Sequence, residues 1–204
     1  MTFDEALRAR VIANLRRFER RGIIPDGRRA AAVAVTLVAD DQGRACFVLT
    51  RRAASLRAHA RQWALPGGRI DSGETAASAA LRELAEEVGL VVGDDAVLGL
   101  LDDYGTRSGY IITPVVVWGG SGVVLTPNPD EVARIYRVPL ADLERPDIPR
   151  LVSIPESDRP MSQLPLLSTL IHAPTAAVVY QVREVLVHGR ATRVDHFEQP
   201  VWAW

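Results

Sequence analysis

Gly68-Arg-Ile-Asp-Ser-Gly-Glu-Thr-Ala-Ala-Ser-Ala-Ala-Leu-Arg-Glu-Leu-Ala-Glu-Glu-Val-Gly-Leu90 is the stretch on which the reading of this chain turns. Helical side chains rotate by about 100° per residue, so with Glu83 at zero, Glu87 falls near +40° and Glu86 near −60°. Three carboxylates then share one stripe. Ala77, Leu81, Leu84 and Val88 fall at roughly +100° to +160°, a separate apolar face able to dock on a sheet. Carboxylates this close repel and raise one another's proton affinity. The arrangement becomes favourable when hard cations such as Mg²⁺ or Mn²⁺ sit between the oxygens. Such ions bridge a diphosphate and lower the pKa of an attacking water. Arg82 is placed to pair with these carboxylates, and with Glu74 through an ion pair or a water. Asp71 or Ser72 is expected to cap the helix start and Gly89 to end it. Pro66-Gly67-Gly68 lets the backbone turn tightly and approach a ligand.

The spacing of Gly68, Glu74, Arg82-Glu83, Glu86-Glu87 and Gly89 resembles the Nudix box, with every fixed position filled. The resemblance implies metal-dependent hydrolysis of a diphosphate linked to another moiety. It implies that Glu83, Glu86, Glu87 and the Gly68 carbonyl hold the metal, with Glu74 supporting. It also implies a general base that is either a box glutamate or a carboxylate on a later loop. Glu131 is the expected candidate for the latter, with Asp102 and Asp103 weaker.

Upstream, Leu49-Thr-Arg-Arg-Ala-Ala-Ser-Leu-Arg-Ala-His-Ala-Arg-Gln-Trp-Ala-Leu-Pro-Gly-Gly68 resembles the motif of coenzyme A diphosphatases within that superfamily. Thr50, Arg52, Ala53, Arg57, Pro66, Gly67 and Gly68 fall in register. Two positions depart: Arg61 stands for a glycine and Leu65 for a phenylalanine. Thr106 to Pro114 and Asn128 to Leu140 echo the same subfamily. The resemblance implies cleavage of coenzyme A to 4′-phosphopantetheine and adenosine 3′,5′-bisphosphate. Arg52, Arg57, Arg61 and His59 are the expected substrate contacts, arginine being suited to bidentate phosphate binding. Trp63 is expected to pack beside Pro66 rather than stack on adenine. The alternatives are another nucleoside diphosphate conjugate, such as ADP-ribose or NADH, or a Nudix domain that binds nucleotide without turnover.

Length and composition fit these expectations. The 204 residues suit one domain, with roughly 70% of the unfolded surface buried on folding. The net charge of −1 gives no general pull toward nucleic acid or an anionic membrane. The four histidines show no zinc spacing, and lone Cys46 sits in an apolar run, as a core residue would. Neither a signal peptide nor a membrane span is read, so a cytoplasmic protein is expected.

The expected architecture is α/β, a Nudix α/β/α sandwich around a mixed sheet. It comprises a helical extension (1–27), a core (30–145) and a proline-rich loop, helix and tail (146–204). Residues 3 to 20 read as an amphipathic helix ended by Gly22. Strands are expected at 30–39, 45–50, 96–101, 111–118 and 132–138, with a polar loop at 102–110 and a short helix at 140–143. Residues 144 to 165 are expected to be irregular because of their prolines. A helix is expected from Thr175, its cap, to His188, with Gly189 as stop, then a strand within 193–204. The first helix and the aromatic tail are apolar enough to suggest a homodimer contact.

Overall fold

The computed structural model describes residues 1–55 and 61–203. In chain order these form α1 (Glu5–Arg17), β1 (Arg29–Ala39), β2 (Ala45–Arg52), β3 (Trp63–Ala64), β4 (Gly67–Arg69) and α2 (Ala76–Val88). Then come β5 (Val97–Leu100), β6 (Tyr104–Gly105), β7 (Tyr110–Gly120), β8 (Val132–Pro139), β9 (Arg150–Ile154), β10 (Ser157–Leu166), β11 (Thr169–His172) and α3 (Thr175–Val182).

β1 is the spine of a mixed sheet. It runs parallel to β7 along its whole length, and antiparallel to β2 only near their shared turn, where Leu37–Ala39 face Ala45–Phe47. Past that point β1 and β2 splay. The gap is filled by two short strands, β3 on β2 and β4 on β1. β8 covers the other edge of β2, and β5 and β6 pair with β7. Alternation along β1 and β2 sorts the core into two layers. Val35, Leu37, Phe47 and Leu49 pack toward α1 and α3, whereas Ala34, Val38, Cys46 and Val48 pack toward α2. The α/β/α sandwich is thus present.

Several elements differ from their sequence expectation. α1 stops at Phe18 (φ −81°, ψ 106°), before Gly22, because the following segment is drawn onto two aspartates of the loop after β5. Leu7, Val11, Leu15 and Phe18, which form the apolar stripe of the first helix, are buried in this chain's own core. The expected polar loop at 102–110 contains β6. Thr75 rather than Asp71 or Ser72 caps α2, in a reciprocal box with Ser78. Asp71 is instead used in the preceding turn, where its carbonyl takes the Glu74 N–H and its own N–H donates to Glu74 Oε2 at 2.9 Å.

The proline-rich stretch is not irregular: β9, β10 and β11 form a second, antiparallel sheet. Its prolines sit where no ladder donor is needed. Pro160 lies in the register break between Ser157 and Met161, and Pro165 lies beyond the last pair with β9, Gln163 with Arg150. Thr175 does not cap α3; its hydroxyl donates to the Trp63 carbonyl at 3.2 Å, and the helix begins after Pro174. Arg183–Val187 continue it as a widened π turn, stopped by Gly189 (φ 66°) as expected. The tail makes a single bridge, Glu198 with Met161, and a 3₁₀ turn at Val201–Ala203 in place of a strand, because Pro200 has no N–H to extend the pairing.

Candidate active site

The carboxylates are positioned by α2 and by the loop that docks on its end. Ala79, Ala80, Leu84, Glu87 and Val88 are buried, while Ala77 and Leu81 are only partly covered. The core-facing stripe therefore runs into the carboxylate stripe instead of standing apart from it. Gly89 closes the helix in the left-handed conformation (φ 69°). Its last carbonyls are then used as anchors: Thr126 N–H donates to Val88 O at 2.9 Å and Asn128 N–H to Glu87 O at 3.0 Å. Asn128 O in turn accepts from Glu131 and Val132, and Ala53 N–H donates to Glu131 O at 2.8 Å. This chain of backbone bonds brings Glu131 beside the helix.

The outcome is a triad of Glu83, Glu87 and Glu131, each offering an oxygen within 4.8 Å of the others. Glu86 does not join it. Its half-exposed side chain accepts from Arg82 Nη1 at 3.1 Å. Burial is the main cause that pushes Glu83 up from its ordinary value, against the pull of Arg82. Burial likewise pushes Glu87, 2% exposed, up to about 7, opposed by nearby Arg52 and by the Gly67 N–H it accepts. Crowded, desolvated carboxylates of this kind are a poor anion cluster and a good oxygen donor set for a hard divalent cation. The residues present fit such an ion.

Arg82 aims the set. It grips Glu74 through Nε and Nη2 (2.9 and 3.1 Å), reaches Glu83 through Nη1 (2.8 Å), and donates to Arg69 O at 3.0 Å. Glu74 precedes the helix, so this direct pair is closer than helical spacing suggests. Gly68 is pressed against the triad: a Cβ there would lie 2.1 Å from Glu83 Oε1. Gly67 is equally constrained, since its Cβ would meet Ala32 O at 2.3 Å.

A cavity of about 500 Å³ opens where β1 and β2 splay. Alternation explains its chemistry. Arg51 points to the α3 side, its guanidinium 5.0 Å from the Trp63 ring centre. Arg52 points to the α2 side, 3.5 Å from Glu87, with its Nε buried and unpartnered. The β2–β8 register shifts opposite these residues, with Ala133 as the extra residue on β8. Arg51, Arg52, Arg61 and Arg69 all line the cavity, and none of its described lining residues is acidic. Arg61, where the resembled motif has glycine, keeps a left-handed backbone (φ 59°) that a side chain adopts only at a cost of about 1 kcal/mol. Arg57 and His59 lie outside the described residues. Trp63 packs on Tyr136, with ring centres 4.8 Å apart.

Asp102 and Asp103 serve the scaffold and do not reach the triad. Asp102 accepts both contacts of Arg193 Nη1 (2.8 and 2.9 Å) and the Arg21 N–H. Asp103 accepts from Arg20, Ile23 N–H and Thr113. Cys46 is buried and its thiol is raised to about 11, an inert core residue. Sequence reasoning missed the cavity wall contributed by Tyr110, Leu170, His172 and Trp202. Only the alternation of β11 hinted at Leu170 and His172, and the neighbouring prolines masked it.

Residues 28–156 match the family described as the NUDIX domain. An uncharacterized Nudix hydrolase NudL from Photorhabdus laumondii subsp. laumondii is 40% identical over 120 residues, 58% of this chain and 63% of the relative. A protein of the same description from Citrobacter koseri is 38% identical over 119 residues, 58% of this chain and 61% of the relative. The chain thus spans about six-tenths of the length of the curated relatives it matches. Among solved structures, the Nudix hydrolase RenU from M. smegmatis aligns with a TM-score of 0.53 at 22% identity, covering 79% of this chain and 87% of that one. A MutT/nudix family protein from Enterococcus faecalis aligns at 0.51 and 14% identity, covering 78% and 62%. These two likenesses concern the fold.

Proposed function

This chain belongs to the Nudix family, and on that premise we propose that it hydrolyses the diphosphate of coenzyme A or its derivatives with Mg²⁺ or Mn²⁺. The observation that carries this reading is the joining of two opposite environments at Gly67-Gly68. A carboxylate triad lies on one side, and a cavity holding four arginines and no described carboxylate lies on the other. A substrate with more negative charge than a bare diphosphate suits that cavity, and coenzyme A carries an added 3′-phosphate.

Glu83, Glu87 and the Gly68 carbonyl would hold the ions, with Glu131 closing the triad beside them. Bound there, divalent ions neutralise charge on the phosphates and acidify the attacking water. Arg82 keeps Glu83 aimed and holds Glu86 outside the triad. Arg52, with one nitrogen unpartnered beside Glu87, donates to a diphosphate oxygen as charge develops there. Arg61 and Arg51 bind the 3′-phosphate, together with Arg57 and His59 from the neighbouring segment. Water adds to one phosphorus, the bridging P–O bond breaks, and Glu131 takes the water's proton. The products are 4′-phosphopantetheine and adenosine 3′,5′-bisphosphate.

Chromatographic product analysis with coenzyme A, dephospho-coenzyme A, ADP-ribose and NADH, each with Mg²⁺ or Mn²⁺, tests the reading. Selective release of adenosine 3′,5′-bisphosphate is the expected result. Cleavage of ADP-ribose or NADH with coenzyme A untouched refutes the substrate, and no cleavage of any of the four refutes the activity.

A further inference from the structure

We propose that the C-terminal hairpin and tail form a subsite for the uncharged pantetheine arm of the substrate, with Trp202 and Leu170 as its specificity-determining residues. This rests on the coenzyme A reading above and adds to it. The cavity is chemically two-sided. One wall, from β2, β4 and the turn before β3, carries the arginines. The other, from β11, the start of α3 and the tail, carries Leu170, His172, Pro174, Val178, Trp202 and Ala203, with no charged side chain among its described residues. All six lie beyond residue 156, outside the segment that matches the family.

The substrate has the same polarity. A diphosphate held at Gly67-Gly68 sends two arms away from the cleaved bond. The nucleoside arm ends in a phosphate and is drawn to the arginines. The other arm is long, uncharged and largely aliphatic, and the apolar wall is the surface left for it.

The wall is built and incompletely covered. Trp202 is 61% exposed and Leu170 36% exposed, and both line the cavity. The tail is held by Glu198, which accepts from Arg107 Nη2 at 2.6 Å and from Ser157 at 2.9 Å. Trp202 stands edge-on to His172, ring centres 5.6 Å apart. Burial lowers the His172 pKa, which keeps this wall neutral near pH 7. Large apolar side chains left facing a cavity mark a ligand surface more often than a solvated one.

The test compares Trp202→Ala and Leu170→Ala with the unaltered protein on coenzyme A, dephospho-coenzyme A and ADP-ribose. The first two carry the arm and the third does not. A roughly tenfold rise in KM for both arm-bearing substrates is expected, with kcat and the ADP-ribose constants unchanged. Trp202→Phe should recover part of the loss. Equal losses on all three substrates would mean a scaffold role and overturn the proposal, as would unchanged KM values. If Trp202→Ala fails to fold, Leu170→Ala carries the test. If the unaltered protein does not cut coenzyme A at all, the substrate reading falls and this subsite with it. That outcome is distinct from intact coenzyme A cleavage by insensitive variants, which removes the subsite alone.

Discussion

Replacing Glu198 by glutamine tests whether the tail is clamped to the cavity by charge. Glu198 is 1% exposed and holds four donors: Arg107 twice, Ser157 and the Gln199 N–H. Arg107 is the main cause that depresses its carboxyl from the ordinary 4.5 to about 2. At about 1.4 kcal/mol per unit, a shift of that size corresponds to about 3 kcal/mol. Arg107 is 46% exposed, so solvent screens part of this, and about 2 kcal/mol is the expected contribution. The sign follows from the depressed value: the stabilisation is complete above pH 4.5 and is lost as pH falls through 2. Urea unfolding of the unaltered protein and of Glu198→Gln, at pH 7 and again at pH 3, gives the comparison. The gap should be about 2 kcal/mol at pH 7 and less than half that at pH 3. An equal gap at both pH values, or none at pH 7, would refute the charge argument.

Three more expectations follow from the geometry. Glu87→Gln should raise the melting temperature of the metal-free protein at pH 8, because a buried carboxylate titrating near 7 opposes folding once ionised. The same variant should lose the Mn²⁺-induced rise in melting temperature and its turnover; an unchanged Mn²⁺ response would sink the ligand assignment. Arg61→Gly should relieve the left-handed strain and stabilise the fold by about 1 kcal/mol. It should also raise KM for coenzyme A more than for dephospho-coenzyme A, as steady-state kinetics would register. Leu167 and Ser168 turn β10 into β11 with φ of 52° and 57°, values suited to Asn-Gly. The double replacement Leu167→Asn/Ser168→Gly should stabilise the protein by about 1–2 kcal/mol, and a lower melting temperature would count against a strained turn.

The chemistry of α2 was legible because it depends on local spacing. Helical geometry alone puts Glu83 and Glu87 on one stripe. Two features were not legible from that wheel. One was the exchange of Glu86 for Glu131, which depends on backbone bonds between residues 126–131 and the end of α2. The other was the direct Glu74–Arg82 pair, because Glu74 lies in the turn before the helix. Of the sheet strands from 29 to 139, β1, β2, β5, β7 and β8 were readable by alternation and apolar runs, whereas the two- and three-residue β3, β4 and β6 were too short to leave a pattern. The β9–β11 sheet was not readable, since proline counts argue against strands unless register and edge positions are known. Trp202 illustrates the same limit: an aromatic near the tail has no readable role until the fold brings it to His172.

The closure of α1 against the π turn after α3 also orders events during synthesis. Asn14 donates to the carbonyl of Leu186 at 3.0 Å, across 172 residues of chain. The apolar stripe of α1 is therefore synthesised well before this partner, 172 residues upstream of it. At about 5–20 residues per second, the two are separated by roughly ten to forty seconds of synthesis. The triad, drawn from residues 83 to 131, spans a shorter interval. The carboxylates able to hold a cation are therefore all synthesised while α1 still lacks the part of its cover that the π turn supplies.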